Sequence, residues 1–304
     1  MPVAQAGASQ FLSTPSMDPL YFYHSFPQGG DAQRGLAILD SILKWGFLLT
    51  AEARSLPATL NQPAAAHVQC RVCFTAIPAC ELKRHSEAFG RFSLEFECQS
   101  LRDFGVMPVV YFSGERAGGT LLNGAGGMVA RHLLSAHDVM FSLVDKAKNG
   151  DATQKAVTEK IFADAQHNLQ TPEELHFALA ALLNLSYSTD TKEGDEMEYF
   201  REREWRIVPN LAFAGGEWLY PPPTPEQATA LRAFDATRYK TVVGGKTQLD
   251  QCLFLQQIGK QDILTRIRRI IVPTDEFDAA RKIAAAYGFD EGKLTRIEDK
   301  EFSG

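Results

Sequence analysis

The sequence predicts an α+β fold: a split, largely antiparallel sheet with an inserted helical subdomain. Three observations carry that expectation. Short β-branched and aromatic runs bounded by turn residues recur near both ends of the chain, three long helical patterns interrupt them between about residues 128 and 190, and few strict strand–helix–strand units occur. No repeat period emerges. Residues 1–17, small and polar, form a loose N-terminal arm in this reading, and residues 18–304 a single α+β domain.

The elements follow in order. Leu20 to Phe26 is a short aromatic run closed by Pro27 and the Gly29-Gly30 pair, which is the pattern of a strand followed by a turn. Asp31 caps a helix whose apolar positions Leu36, Leu39, Ile42 and Leu43 recur at helical spacing, and Gly46 ends it. A strand-like Phe47-Leu48-Leu49 and a Pro/Ala-rich loop lead to a second clear strand, Val68 to Thr75, ended by Pro78. Glu81 to Phe89 is a short helix terminated by Gly90, Phe92 to Phe96 alternates as a strand, and Met107 to Phe112 is a further strand candidate. A glycine-rich loop from Gly114 to Gly127 precedes the helical patterns Met128 to Asn149, Thr153 to Gln166 and Pro172 to Leu185. Strands resume with Tyr199 to Val208 and Glu217 to Tyr220; Pro225 to Tyr239 is helical, Arg266 to Pro273 a strong strand, Glu276 to Tyr287 a helix and Lys293 to Ile297 a last strand.

Composition narrows the function classes. A net charge of −6 gives no general attraction for polyphosphate, so nucleic-acid contact would need a local basic patch. Arg266, Arg268 and Arg269 alternate along a strand, and a solvated edge is the expected setting for them. No apolar run approaches the roughly 20 residues that span a bilayer, and the start lacks the pattern of a secretory signal, so no membrane association and a cytoplasmic location are expected. Five cysteines do not suggest a disulfide framework. Cys70, Cys73, Cys80 and His85 are of zinc-ligand type, but period-two alternation sends the Cys70 and Cys73 sulfurs to opposite faces, and no metal is expected.

Familiar motifs fall away on spacing. Val243 to Thr247 ends like a phosphate-binding loop, but the glycine required five positions before Gly245 is Lys240, which makes an ordinary turn the better reading. Gly124 to Gly127 lacks the downstream acidic partner of a dinucleotide fingerprint, and His132 and His137 are spaced for different helix faces.

What remains is Glu202-Arg203-Glu204-Trp205-Arg206. In a strand, Glu202, Glu204 and Arg206 share one face, and two adjacent carboxylates resist joint ionisation unless a neighbouring guanidinium restores it. Crowded carboxylates of this kind suit acid–base or electrostatic work. Two further strand sites accompany it: His24-Ser25 on the first strand and Phe74-Thr75 on the second.

A first-strand histidine, then a helix, then a hydroxyl on the second strand, then a late strand glutamate in a Glu-x-Glu pair resembles the layout of the ADP-ribosyltransferase superfamily. The chain resembles the AbiGi abortive-infection family of phage-resistance proteins more closely, through Tyr23-His24-Ser25, Cys73 to Pro78, His85 with Phe89 to Phe92, Pro108 to Tyr111 and Glu202 to Ile207. The superfamily resemblance implies a sheet of ADP-ribosyltransferase type and NAD as substrate. It further implies that Glu204 stabilises the ribosyl cation, Glu202 positions or deprotonates the acceptor, His24 donates to an adenosine-ribose hydroxyl with Ser25 in support, and Thr75 lines the nicotinamide-ribose region. His85 would be a phosphate contact or an acceptor-side base, and Arg206 would hold Glu204. Two readings follow. One is an effector that transfers ADP-ribose from NAD to a protein or nucleic-acid acceptor. The other is a non-catalytic antitoxin or sensor that binds a cognate toxin. Nuclease action by Glu202, Glu204 and His85 is a third.

Overall fold

The strand Leu20–Phe26 (β1) lies at the middle of the architecture in a computed structural model, which describes residues 19–29, 31–56, 65–112, 125–165, 172–188, 203–209, 218–234, 242–243, 246–258 and 260–302. The other strands are β2 (Phe47–Leu56), β3 (Ala65–Pro78), β4 (Phe92–Glu97), β5 (Met107–Pro108), β6 (Val110–Phe112), β7 (Ser186–Ser188), β8 (Glu204–Ile207) and β9 (Trp218–Leu219). They continue with β10 (Val242–Val243), β11 (Lys246–Thr247), β12 (Leu253–Leu255), β13 (Gln257–Ile258), β14 (Gln261–Asp262), β15 (Ile267–Val272) and β16 (Leu294–Arg296). Among the described residues the main sheet has nine strands in the order β12-β2-β3-β1-β4-β15-β16, with β8 against β3 and β5 against β8. Its pairs are antiparallel except β15 with β16. The expected mixed fold with a largely antiparallel sheet is therefore present.

Helix α1 (Ala32–Trp45) starts where the sequence predicts: the Asp31 side chain accepts from the Arg34 amide at 2.8 Å, and Gly46, at φ 88°, lets the chain turn out of the helix. It buries Leu39, Ile42 and Leu43 against one face of the sheet, where Phe22 and Phe26 of β1 meet Phe47, Phe74, Leu94 and Phe96. Alternation sends Tyr23 to the opposite face, which Ile77, Leu82, Ile271, Ile297 and Phe302 complete. The hydrophobic effect thus acts on both sides of β1.

Glu95 of β4 is the polar hub of that second face. It is fully buried, accepts from the Tyr23 hydroxyl at 2.7 Å and from Arg269 Nε and Nη2 at 2.7 Å each, and also pairs with Arg268. The solvated edge expected for the arginines is corrected here. Strand β15 runs between β4 and β16, and a register shift between Ile267 and Arg269 brings two consecutive arginines onto one carboxylate. Arg266 instead lies over the Phe104 ring.

Helices α2 (Leu82–Phe89) and α3 (Cys98–Arg102) flank the sheet. The three long helical patterns form α4 (Ala125–Asn149), α5 (Ala152–Ala165) and α6 (Pro172–Leu185), and α7 (Pro225–Phe234) and α8 (Phe277–Ala286) follow. The end of α6 is tied to β3: Gln69 Nε2 donates to the Leu183 and Ser186 carbonyls at 2.7 and 2.9 Å, and Asn184 Oδ1 accepts from the Cys70 amide at 2.8 Å. No helix among the described residues is long and apolar enough to cross a membrane. The lysine-threonine pair of the discarded phosphate motif lies on the β10–β11 hairpin. The N-terminal arm lies outside the described residues.

Removing the Glu95 carboxylate would leave the Tyr23 hydroxyl without its acceptor and Arg269 with Glu301 as its remaining carboxylate. Glu95→Ala is expected to cost about 3–5 kcal/mol of unfolding free energy, read as a lowered urea midpoint.

Candidate functional site

Strand β3 has to satisfy its backbone against three neighbours in turn, and at one place it cannot do so on both sides. Strand β1 pairs with it from Leu20↔Pro78 to Tyr23↔Thr75, and β2 from Thr50↔Arg71 onward. Val72, Cys73 and Phe74 between these registers pair with β8 and with neither β1 nor β2. A cavity of about 450 Å³ opens along this gap, walled by β1, β2, β3, α1 and α2 with Tyr187 and Glu204.

His24 occupies the gap. Its Nδ1 lies 2.8 Å from the Cys73 carbonyl oxygen, and because a carbonyl only accepts, Nδ1 carries the hydrogen. Nε2 is then a lone-pair acceptor. The ring is packed among Phe26, Phe47 and Phe74, and burial lowers its pKa against the opposing pull of the Cys73 bond, so the imidazole is neutral at pH 7. With Nδ1–H given to the carbonyl, the second nitrogen of the neutral ring has a lone pair and no hydrogen to donate. Ser25, also on the wall, shares a hydrogen bond of 2.8 Å with Ser93, and Thr75, mostly buried, lines the cavity beside them.

Glu204 stands opposite Thr75 in register and on the same wall. Arg206, one alternation further along β8, donates from Nε to Oε1 at 2.9 Å and from Nη2 to Oε2 at 3.2 Å. The guanidinium is fully buried and is itself held by the Asn184 and Ser186 carbonyls at 2.9 and 3.1 Å, with the Tyr187 ring beneath it. Burial alone would raise the Glu204 pKa and is the largest single influence. The Arg206 charge and hydrogen bonds, the Cys73 thiol and Arg71 together outweigh it and hold the carboxyl below the usual range. Arg206 sits behind Glu204 and off the cavity wall, as a positioning residue. The alternation expected for this segment holds from Glu204 onward, with Trp205 and Ile207 turned into the apolar core. It stops at Arg203, whose φ of 44° breaks the strand while its carbonyl accepts from the Ala76 amide. Glu202 lies outside the described residues.

His85 reaches the cavity from α2, stacked on Phe89 with ring centroids 4.4 Å apart. Burial pushes its pKa down to about 4. At neutral pH it offers a neutral ring, which removes the cationic phosphate contact and leaves the base role or a stacking surface. Of the two alternation-split cysteines, Cys70 packs in the core and Cys73 sits beside Glu204, as the sequence predicts. Among the described residues no three metal-ligating side chains come together.

Sequence reasoning missed Arg71 and Glu52. Both line the cavity, and Arg71 Nη2 meets Glu52 Oε2 at 2.7 Å. A signal existed: Arg71, Cys73 and Thr75 form a period-two polar row on a strand whose other face is apolar.

The family model described as "Putative abortive phage resistance protein AbiGi, antitoxin" matches residues 57–233, more than half of the chain, and the chain belongs to this family. The match takes in Arg71, Thr75, His85 and Glu204 and begins after His24. The family's description carries an anti-phage abortive-infection role as an antitoxin. No curated protein and no solved structure matches the chain.

The lowered pKa of His85 has a sign that can be tested. Between its ordinary value of 6.5 and about 4 the unfolded chain binds more protons at this site than the folded one, so stability falls as the pH falls through that window. His85→Gln is expected to remove up to about 3 kcal/mol of that acid loss, measured as the difference in urea midpoints at pH 7 and pH 4.5.

Proposed function

We propose that this AbiGi-family member is the antitoxin component of an abortive-infection pair and that its cleft binds NAD without cleaving it. The observation that carries the reading is the double engagement of Glu204 by a buried arginine. Displacing nicotinamide builds positive charge on the ribose, and a free carboxylate beside the sugar would stabilise that charge. Here both carboxylate oxygens already face the Arg206 guanidinium, so the pair is close to neutral as seen from the cavity. The cleft keeps a shape suited to a ligand with hydroxyls and an aromatic ring: an acceptor nitrogen on His24, hydroxyls on Ser25 and Thr75, and the stacked His85 and Phe89 rings. The antitoxin role follows the family description, and its partner would be a cognate toxin.

A second reading, ADP-ribosyl transfer from NAD to a macromolecular acceptor, is favoured by one specific arrangement. His24, Thr75 and Glu204 stand on β1, β3 and β8 along one cavity, in the chain order of the ADP-ribosyltransferase layout. In that case Arg206 would have to release one carboxylate oxygen to the ribose.

One set of measurements separates the two. The purified protein is expected to bind NAD by isothermal titration calorimetry, to release no nicotinamide, and to neutralise a co-expressed cognate toxin equally well as wild type and as Glu204→Gln. Nicotinamide release that disappears in Glu204→Gln would replace the first reading with the second. No heat with NAD would remove both.

A further inference from the structure

We propose that Arg71 is the anion anchor of the cleft, the residue that takes a phosphate of the bound nucleotide; this deepens the NAD-binding reading and rests on it. The Arg71 side chain is only 5% exposed, yet it stands on the cavity wall in the polar row with Cys73 and Thr75. A guanidinium has five N–H donors in a planar fork. Nη2 donates to Glu52 at 2.7 Å and Nη1 to Gln69 Oε1 at 3.1 Å, the Cys73 thiol and the Glu204 charge also act on the guanidinium, and the buried Nε–H makes no hydrogen bond of ordinary geometry. A buried cation with an unmatched donor favours contact with an oxygen-rich anion.

The neighbouring charges leave that position to an incoming anion. Glu204, the other carboxylate on the wall, is engaged through both oxygens by Arg206 and acts on Arg71 through its charge, with no hydrogen bond between them. Glu52 is the rival acceptor, 28% exposed and standing on β2 where that strand pairs with β3, opposite Gln69. His24 and His85 are held neutral by burial, so neither supplies positive charge at pH 7. Among the described residues of the wall the permanent cations are Arg71 and Arg34. Phosphate oxygens match the guanidinium fork and can take the place of Glu52 on it.

The test uses the full chain and three probes in calorimetric titrations: NAD, inorganic pyrophosphate and adenosine, which carries no phosphate. Arg71→Met is expected to weaken NAD and pyrophosphate by roughly tenfold or more while leaving adenosine unchanged. Because Arg71→Met removes a buried ion pair and can fail to fold, Glu52→Gln is the second variant: it keeps the cation, removes its rival, and is expected to tighten pyrophosphate several-fold. A Glu52→Gln protein that binds pyrophosphate no better than wild type, or a folded Arg71→Met protein that binds it equally well, overturns the anchor. Wild-type binding of pyrophosphate without NAD, lost in Arg71→Met, would sustain the anchor and remove the NAD reading; binding of neither would overturn both.

Discussion

The arrangement depends on a short break in a hydrogen-bond ladder. A buried strand normally satisfies its amides and carbonyls on both sides, and leaving them unmatched is costly. Between the registers of β1 and β2, residues Val72 to Phe74 of β3 have a strand on one side only, and the His24 imidazole takes the Cys73 carbonyl in place of a backbone amide. A side chain that substitutes for a strand needs less room than the strand would. The space left over is the cleft. The same bond sets the histidine tautomer, because the nitrogen that faces the carbonyl must be the donor, and so it decides which hydrogen-bonding character the cleft presents.

The two buried charge clusters serve different ends. Glu95 with Arg269, Arg268 and Tyr23 joins β1, β4 and β15 on the face opposite the main aromatic core. Glu204 lies on the cavity wall with Arg206 behind it, and there burial and ionisation are in direct opposition. Buried ion pairs contribute little net stability relative to apolar replacements, although losing one partner is expensive. Their value here is positional: each fixes a carboxylate whose location a hydrophobic side chain would leave undefined.

Most of the local architecture is legible in the amino-acid order. The Asp31 cap, the Gly46 and Gly90 terminations, the three long helices and the divergence of Cys70 and Cys73 all follow from short-range rules of capping and alternation. The site was legible in part, because Thr75, Glu204 and Arg206 lie on strands whose period-two faces can be read directly. What the sequence could not convey is long-range. That β15 is interior and not an edge depends on its pairing with both β4 and β16, and the pairing of its arginines depends on Glu95, more than a hundred residues earlier. The tautomer of His24 depends on a carbonyl supplied by another strand. Arg203 interrupts the alternation through a positive φ that its residue type does not announce. Arg71 was overlooked because an arginine inside an apolar strand gains meaning only once the gap beside it is known.

Arg206 also reaches the Asn184 and Ser186 carbonyls, at the junction of α6 and β7. The guanidinium that steadies the cleft carboxylate is therefore bolted to the last turn of the helical segment, and Gln69 and Asn184 rivet that turn to β3. Under the proposed antitoxin reading, a toxin that shifted this turn would change the cleft's affinity for a nucleotide, and thermodynamic reciprocity would require the nucleotide to alter the toxin's grip by the same factor. The cleft wall and the helical segment are thus mechanically joined through one arginine, and a displacement of either is felt by the other.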